Sequence, residues 1–151
     1  VPLTTDVVDI GRRWIYGVGR ASSDHAGRMA VQLTAAARAE ALKPLSPVHL
    51  RARREAGGVR LSFVRRTRVG GDNWELAEVP LSEEREAYEI EILAGNAVKR
   101  TLESASTGAL YANAQEIADF GAAQTSLAVR VFQLSATVGR GFPAAAVLKV
   151  R

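Results

Sequence analysis

Asp24-His25 is a carboxylate–histidine neighbour pair, the residue types that could make an imidazole a general base oriented by an acid. It lies in Ser22-Ser23-Asp24-His25, a turn-type sequence, and adjacent residues rarely face one reacting group. No nucleophile motif accompanies it, so it reads as a surface turn. His25 and His49 stand far apart without H-x-x-x-H spacing or an acidic loop, which leaves a transition-metal site without support. Gly71-Asp72-Asn73 could offer oxygens to calcium, but the bidentate carboxylate that a calcium loop needs is missing at its spacing, so turn chemistry accounts for it better. Gly17-Val18-Gly19 and Gly139-Arg140-Gly141 lack the remaining spacing of a phosphate cradle and read as turn or bend glycines. With no cysteine, thiolate metal sites, iron–sulfur ligation, disulfides and cysteine nucleophiles are excluded. The chain therefore reads as a non-enzyme with no cofactor and no metal.

What remains are residues suited to recognition. Trp14, Tyr16 and Trp74 have the flat faces that stack on a pyranose ring, although in a chain with only 6% aromatic residues burial competes for them. The same competition holds for Phe63, Tyr88 and Phe132. The formal charge is +4, and nearly all the positive charge is arginine, with lysine only at 43, 99 and 149. That invites a nucleic-acid reading. The arginines, however, alternate along strands among acidic residues and form no continuous basic face with stacking platforms, so no direct nucleic-acid recognition is expected. Arg51, Arg53, Arg60 and Arg130 are expected as solvated sheet positions facing Glu89 and Glu91 across strands, each pair contributing a few tenths of a kcal/mol, roughly.

The elements that must position these residues are mostly strands. Val48–Ala56 and Val59–Arg66 alternate, with Val48, Leu50 and Ala52 on one face and Val59, Leu61 and Phe63 on another, joined by a turn at Gly57-Gly58. Tyr88, Ile90 and Ile92 alternate with Glu89 and Glu91 in the clearest strand. A turn at Ala94-Gly95-Asn96 leads into a weaker strand through Val98, Arg100 and Leu102. Tyr111–Gly121 reads as a short helix, with Ala114, Ile117, Ala118 and Phe120 near helical spacing and Gly121 as its stop. Leu127, Val129 and Val131 resume alternation, Gly139-Arg140-Gly141 makes a turn, and Ala146–Val150 closes the chain as a strand. Short strands at close spacing predict an all-β sandwich. Ala30–Leu42 has helix propensity, but Val31-Gln32-Leu33-Thr34 alternates among turn glycines, and strands are the expectation. Lys43-Pro44-Leu45-Ser46-Pro47 reads as a linker, giving a β-rich segment 1–43, a Pro-rich linker 44–47 and a sandwich 48–151. At 151 residues and 47% hydrophobic, the chain suffices for one core with a satellite. No run reaches the roughly 18 apolar residues of a membrane span. Opening on Val in a strand-like stretch, the sequence reads as a processed product or a piece of a longer polypeptide.

Three stretches stand out together: Pro44–Leu50, Phe63–Trp74 (FVRRTRVGGDNW) and Glu78-Val79-Pro80-Leu81. With Tyr88-Glu89-Ile90, Ile117–Gly121, and Val131–Ser135 running into Gly139–Pro143, they resemble the C-terminal region of the multidomain baseplate protein of gene transfer agents and related host-specificity-type phage tail-tip proteins. The match covers most of Leu42–Val150. Val1–Leu42 looks like the end of the preceding β-rich domain. The resemblance implies a fibronectin-type-III-like β-sandwich with no enzymatic motif, at the end of a large tail-tip subunit. It implies a virion structural protein, made in the bacterial cytoplasm and acting extracellularly, in a particle that delivers DNA between bacteria. The implied partners are other tail proteins and copies of itself in a symmetric assembly. Where the family pattern commonly has Trp as core anchor on the second strand, this chain has Phe63, which should still fill the core.

The arginine-rich segment has two physical readings. Gly70-Gly71 can turn the chain, Asp72 can accept backbone N–H bonds, and Trp74 can pack beneath a covering arginine. Alternatively, Arg65, Arg66, Arg68, Asp72 and Trp74 form a docking edge of the kind that anchors interfaces. Two functions follow for test. One is a structural and interaction module of a phage-like tail tip supporting assembly and host attachment. The other is a carbohydrate-binding module for capsule or lipopolysaccharide, with Trp14, Tyr16 or Trp74 stacking and arginines meeting acidic sugars.

Overall fold

Period-two alternation becomes strands almost wherever it occurs in the computed structural model, which describes residues 6–19, 31–71, 73, 75 and 79–151. Two compact units form, Val1–Leu42 and Lys43–Arg151. In the first, β1 (Arg13–Val18) and β2 (Val31–Ala36) pair antiparallel, from Arg13 opposite Ala36 to Val18 opposite Val31. The Ala-rich stretch is thus a strand followed by a single 3-10 turn at Glu40–Leu42, because its Val and Leu alternate in register with Trp14 and Tyr16.

The second unit contains β3 (Val48–Glu55), β4 (Gly58–Val64), β5 (Tyr88–Ala94), β6 (Ala97–Ser104), β7 (Gly108–Ala112), helix α1 (Asn113–Phe120), β8 (Ser126–Ser135), the two-residue β9 (Gly139–Arg140) and β10 (Ala144–Lys149). One sheet has the order β3-β4-β7, the other β10-β8-β5-β6 with β9 pairing β8, and every ladder is antiparallel. This three-on-four layering is the fibronectin-type-III-like all-β sandwich expected from the sequence. Its core takes Val59, Leu61 and Phe63 from β4, Tyr111 from β7, Tyr88, Ile90 and Ile92 from β5, and Leu127, Val129 and Val131 from β8. Each such burial contributes roughly 1.5–3 kcal/mol. Phe63 meets Tyr88 edge to face with ring centroids 4.9 Å apart, so the smaller aromatic ring does occupy the core at the second strand.

Four expectations need correction. The β3–β4 turn is Ala56-Gly57. Gly58 is already paired with Glu55, and it is glycine for a different reason: a Cβ there would lie 2.2 Å from the Tyr111 carbonyl oxygen of β7. Tyr111 ends a strand rather than opening the helix, because Gly108–Ala112 pairs with β4. The turn after β8 falls at residues 136–138, and Gly139-Arg140 pairs back onto Leu134 and Ser135. Finally, the Pro44–Pro47 segment is no free linker. Pro44 and Pro47 are buried, and the Pro44 carbonyl accepts the Phe142 N–H at 2.9 Å, while Gly141 passes so close that a Cβ would meet the Pro44 oxygen at 2.6 Å.

Candidate interaction surfaces

The arginines of the 65–68 segment turn inward on their own unit. Arg65 donates to the carbonyls of Val79 (2.6 Å) and Pro80 (3.0 Å), and Arg66 to the carbonyl (2.8 Å) and hydroxyl (2.7 Å) of Ser46. Arg68 donates to the Ser82 carbonyl and to Glu83, both at 3.3 Å, beside a Thr67–Ser82 hydroxyl pair at 2.7 Å. These fork-like donors clamp the described parts of the β4–β5 connection. Asp72 and Trp74 lie outside the described residues, as do Asp24, His25 and Gly27. His49 is exposed at a β-bulge of β3 with φ +54°. Among the described residues no three His, Asp or Glu side chains converge as metal ligands, and no helix is long and apolar enough to cross a membrane.

On the outer face of the four-stranded sheet, Glu91 is buried beneath two arginines, with Arg130 Nε at 2.6 Å and Arg140 Nη1 at 2.8 Å. Arg140 also holds Glu89 at 2.6 Å and lies over the Phe132 ring, 4.6 Å from its centroid. Phe132 is therefore buried on the outer face, under guanidinium groups, and not in the core. Of the arginines expected opposite Glu89 and Glu91, only Arg130 is there. Arg53 and Arg60 meet Glu55 instead (2.6 and 3.4 Å), because β3 belongs to the other sheet. Arg140 takes their place, brought there by β9, an element too short to show periodicity.

Helix α1 is tied down by its acids. Glu116, almost fully buried, accepts two bonds from Arg54 (2.6 and 3.0 Å) and one from the Gln124 amide (2.8 Å). Asp119 accepts two from Arg100 (2.6 and 2.8 Å) and one from the Tyr111 hydroxyl (2.8 Å). The arginine hydrogen bonds hold both carboxyls below their ordinary ranges, and burial followed by the Asp119 anion pushes the Tyr111 phenol up. Ile117, one of the residues at helical spacing, is 57% exposed. The helix is read correctly from its stop, Gly121 at φ +77°.

Among the described residues, two surfaces lack such partners. In the first unit, register places Trp14, Tyr16 and Val18 opposite Ala35, Leu33 and Val31, so one face of the hairpin is wholly apolar. Trp14, Val18, Val31 and Leu33 are exposed, and Tyr16 is partly so. The opposite face is mixed, with Arg13, Thr34 and Gln32 beside Ile15, Gly17 and Ala36. In the second unit a groove of about 600 Å³ runs between the edge strands β3 and β10. Leu50, Val147 and Leu148 supply its apolar lining, and Arg51, Arg53, Lys149 and Arg151 its charge, with no carboxylate side chain among the lining residues. Their signal in the sequence is weak, since two edges of different sheets contribute cations that are distant in the chain.

No family model matches the chain, and no curated protein sequence matches it. Among solved structures, domains d3-d4 of the rat CD45 extracellular region superpose with a TM-score of 0.48 at 7% identity, over 99% of this chain and 69% of that one. The FN5 domain of Drosophila Lar superposes with a TM-score of 0.38 at 14% identity, over 71% of this chain and 96% of that one.

Proposed function

We propose that the chain is a non-enzymatic structural and interaction module of a phage-like tail tip, of the gene transfer agent kind, where it supports baseplate assembly and host-cell attachment for DNA delivery. The observation that carries the interaction reading is the hairpin of β1 and β2. A two-stranded sheet gains its stability from covering an apolar face, and here the face of Trp14, Tyr16, Val18, Val31, Leu33 and Ala35 is largely exposed. The tail-tip setting is supported by the resemblance of Pro44–Leu50, Phe63–Trp74 and the later segments. Neighbouring tail proteins, and copies of the chain in a symmetric ring, are the partners this reading names. Immunogold labelling of purified particles with an antibody to the second unit tests it. Gold at one tail end is the expected result, and particles free of the protein overturn the reading.

A second reading is favoured by Trp14 and Tyr16, which sit two residues apart on one face with Trp14 44% exposed, as a glycan-stacking platform would require. Binding of the labelled protein to intact host cells, lost on cells stripped of capsule and lipopolysaccharide and retained at moderate salt, would promote it. Equal binding to both preparations would reject it.

A further inference from the structure

We propose that the groove between β3 and β10 is a strand-addition site for an extended, acidic polypeptide segment of a partner protein. This stands apart from the tail-tip reading and concerns the second unit alone.

Hydrogen-bonding direction alternates along a strand. The Val150 N–H turns inward to the Thr125 carbonyl at 2.9 Å, and the Arg151 N–H turns outward to the Ala52 carbonyl at 3.3 Å. By the same alternation, the main-chain groups of Val147 and Lys149 turn outward, toward the groove. On the facing edge, Arg54 N–H meets the Arg151 carbonyl and Ala52 forms a parallel bridge with Val150, so the two sheets touch at the end of β10. Before that contact, Leu50 and Arg51 of β3 and Val147 and Leu148 of β10 line the open groove. The outcome is a wedge closed at one end, with an unpaired strand edge along one wall.

Charge selects the occupant. Arg51 and Lys149 have no carboxylate partner among the described residues, Arg53 shares Glu55 with Arg60, and Arg151 adds a fourth cation. A second copy of this chain is a poor match, since it carries a net charge of +4 and the same four cations at its own groove. A polyanion without a peptide backbone would satisfy the cations but leave the strand edge unpaired. A segment alternating acidic and apolar residues satisfies the cations, the apolar lining and the edge together.

The test uses the full 151-residue protein labelled with nitrogen-15, and an acetylated, amidated hexapeptide of alternating Glu and Val. Expected are saturable amide shifts confined to Ala144–Val150 and Leu50–Arg53, and slowed exchange of the Val147 and Lys149 amides in the complex. Two variants separate charge from backbone. Arg51→Glu with Lys149→Glu, both on exposed side chains, should weaken binding about tenfold or more. Val147→Pro removes an outward N–H that β8 does not use, and should abolish peptide binding while leaving binding of a heparin hexasaccharide unchanged. Three outcomes overturn the proposal. They are no shifts at millimolar peptide, binding unaffected by the charge reversals in a folded variant, and heparin producing the same shifts with peptide affinity indifferent to Val147→Pro, which would make the groove a general polyanion site.

Discussion

Arg54 and Glu116 lie 62 residues apart in sequence and meet in a two-pronged ion pair, 2.6 and 3.0 Å, that joins β3 to helix α1. The glutamate is almost fully buried while the arginine remains a third exposed. Removing the acid therefore strands the Gln124 amide, and removing the arginine strands a buried charge.

Glu116→Ala should cost about 3 kcal/mol, because a buried pair broken from one side leaves its other groups unsatisfied. Glu116→Gln, which keeps an acceptor for the Gln124 amide and for one arginine prong, should cost about half as much. Urea titration of both variants checks this. Equal losses would show that the charge, and not the acceptor, carries the contact.

Gly58, at φ +150°, adds a steric reason for glycine to the conformational one that Gly121 shows alone. A Cβ on Gly58 would sit 2.2 Å from the Tyr111 carbonyl oxygen and 2.8 Å from the Ala112 Cα, all backbone, so Gly58→Ala must push β4 and β7 apart. We expect a loss of about 3 kcal/mol or more, or failure to fold. At Gly121 nothing lies within 4 Å and only the left-handed φ of +77° resists a side chain. Gly121→Ala should cost about 1 kcal/mol, a fall in Tm of about 4 °C. Similar losses at both sites would contradict the distinction.

The contrast also marks what the sequence can tell. The period-two runs at Val59–Phe63, Tyr88–Ile92 and Leu127–Val131 named most of the core, because a sheet with one buried face writes its burial into alternation. Gly108–Ala112 escaped because it is short and abuts a helix, and β9 because two residues have no period. Of the ion-pair lattice only Arg130 opposite Glu91 was legible, because β5 and β8 pair there. The rest escaped: β9 brings Arg140 to Glu91 and β3 brings Arg54 to Glu116, and no local pattern encodes those arrivals. Arg65, Arg66 and Arg68 were legible as a cluster but not as clamps, since their acceptors are mostly carbonyl oxygens, which every residue has.

Acid should weaken the fold through Glu116 and Asp119. Arginine hydrogen bonds hold both below their ordinary values of 4.5 and 3.8, against the opposing effect of burial. A carboxyl depressed in the folded state contributes stability above its unfolded pKa and loses it as pH falls through the folded one. Stability should thus change little from neutral pH down to the ordinary carboxyl range, then fall as the pH drops through that range and below it. Tm measured across that range checks it. The Glu116→Gln, Asp119→Asn double variant, less stable at pH 7, should show a shallower acid slope, and an unchanged slope would assign the acid sensitivity to other carboxylates.

The hairpin of β1 and β2 gives the last prediction. Two strands alone are marginal in water, and this pair exposes Trp14, Val18, Val31 and Leu33 on one face. None of the four belongs to the core of the second unit. Trp14→Ser with Leu33→Ser should therefore leave the thermal transition of that unit unmoved. The same double variant should lose binding of a hydrophobic dye and any concentration-dependent association of the native protein. Sedimentation velocity and dye titration read the second effect, and calorimetry the first. Were the transition of the second unit to fall by several degrees, the apolar face would be packing against the chain itself. Were dye binding to persist, the exposed apolar surface would lie elsewhere. Loss of association with an unmoved transition, in a variant whose β1–β2 amide protection is retained so that the strands are still paired, would leave the hairpin as a surface built for a partner.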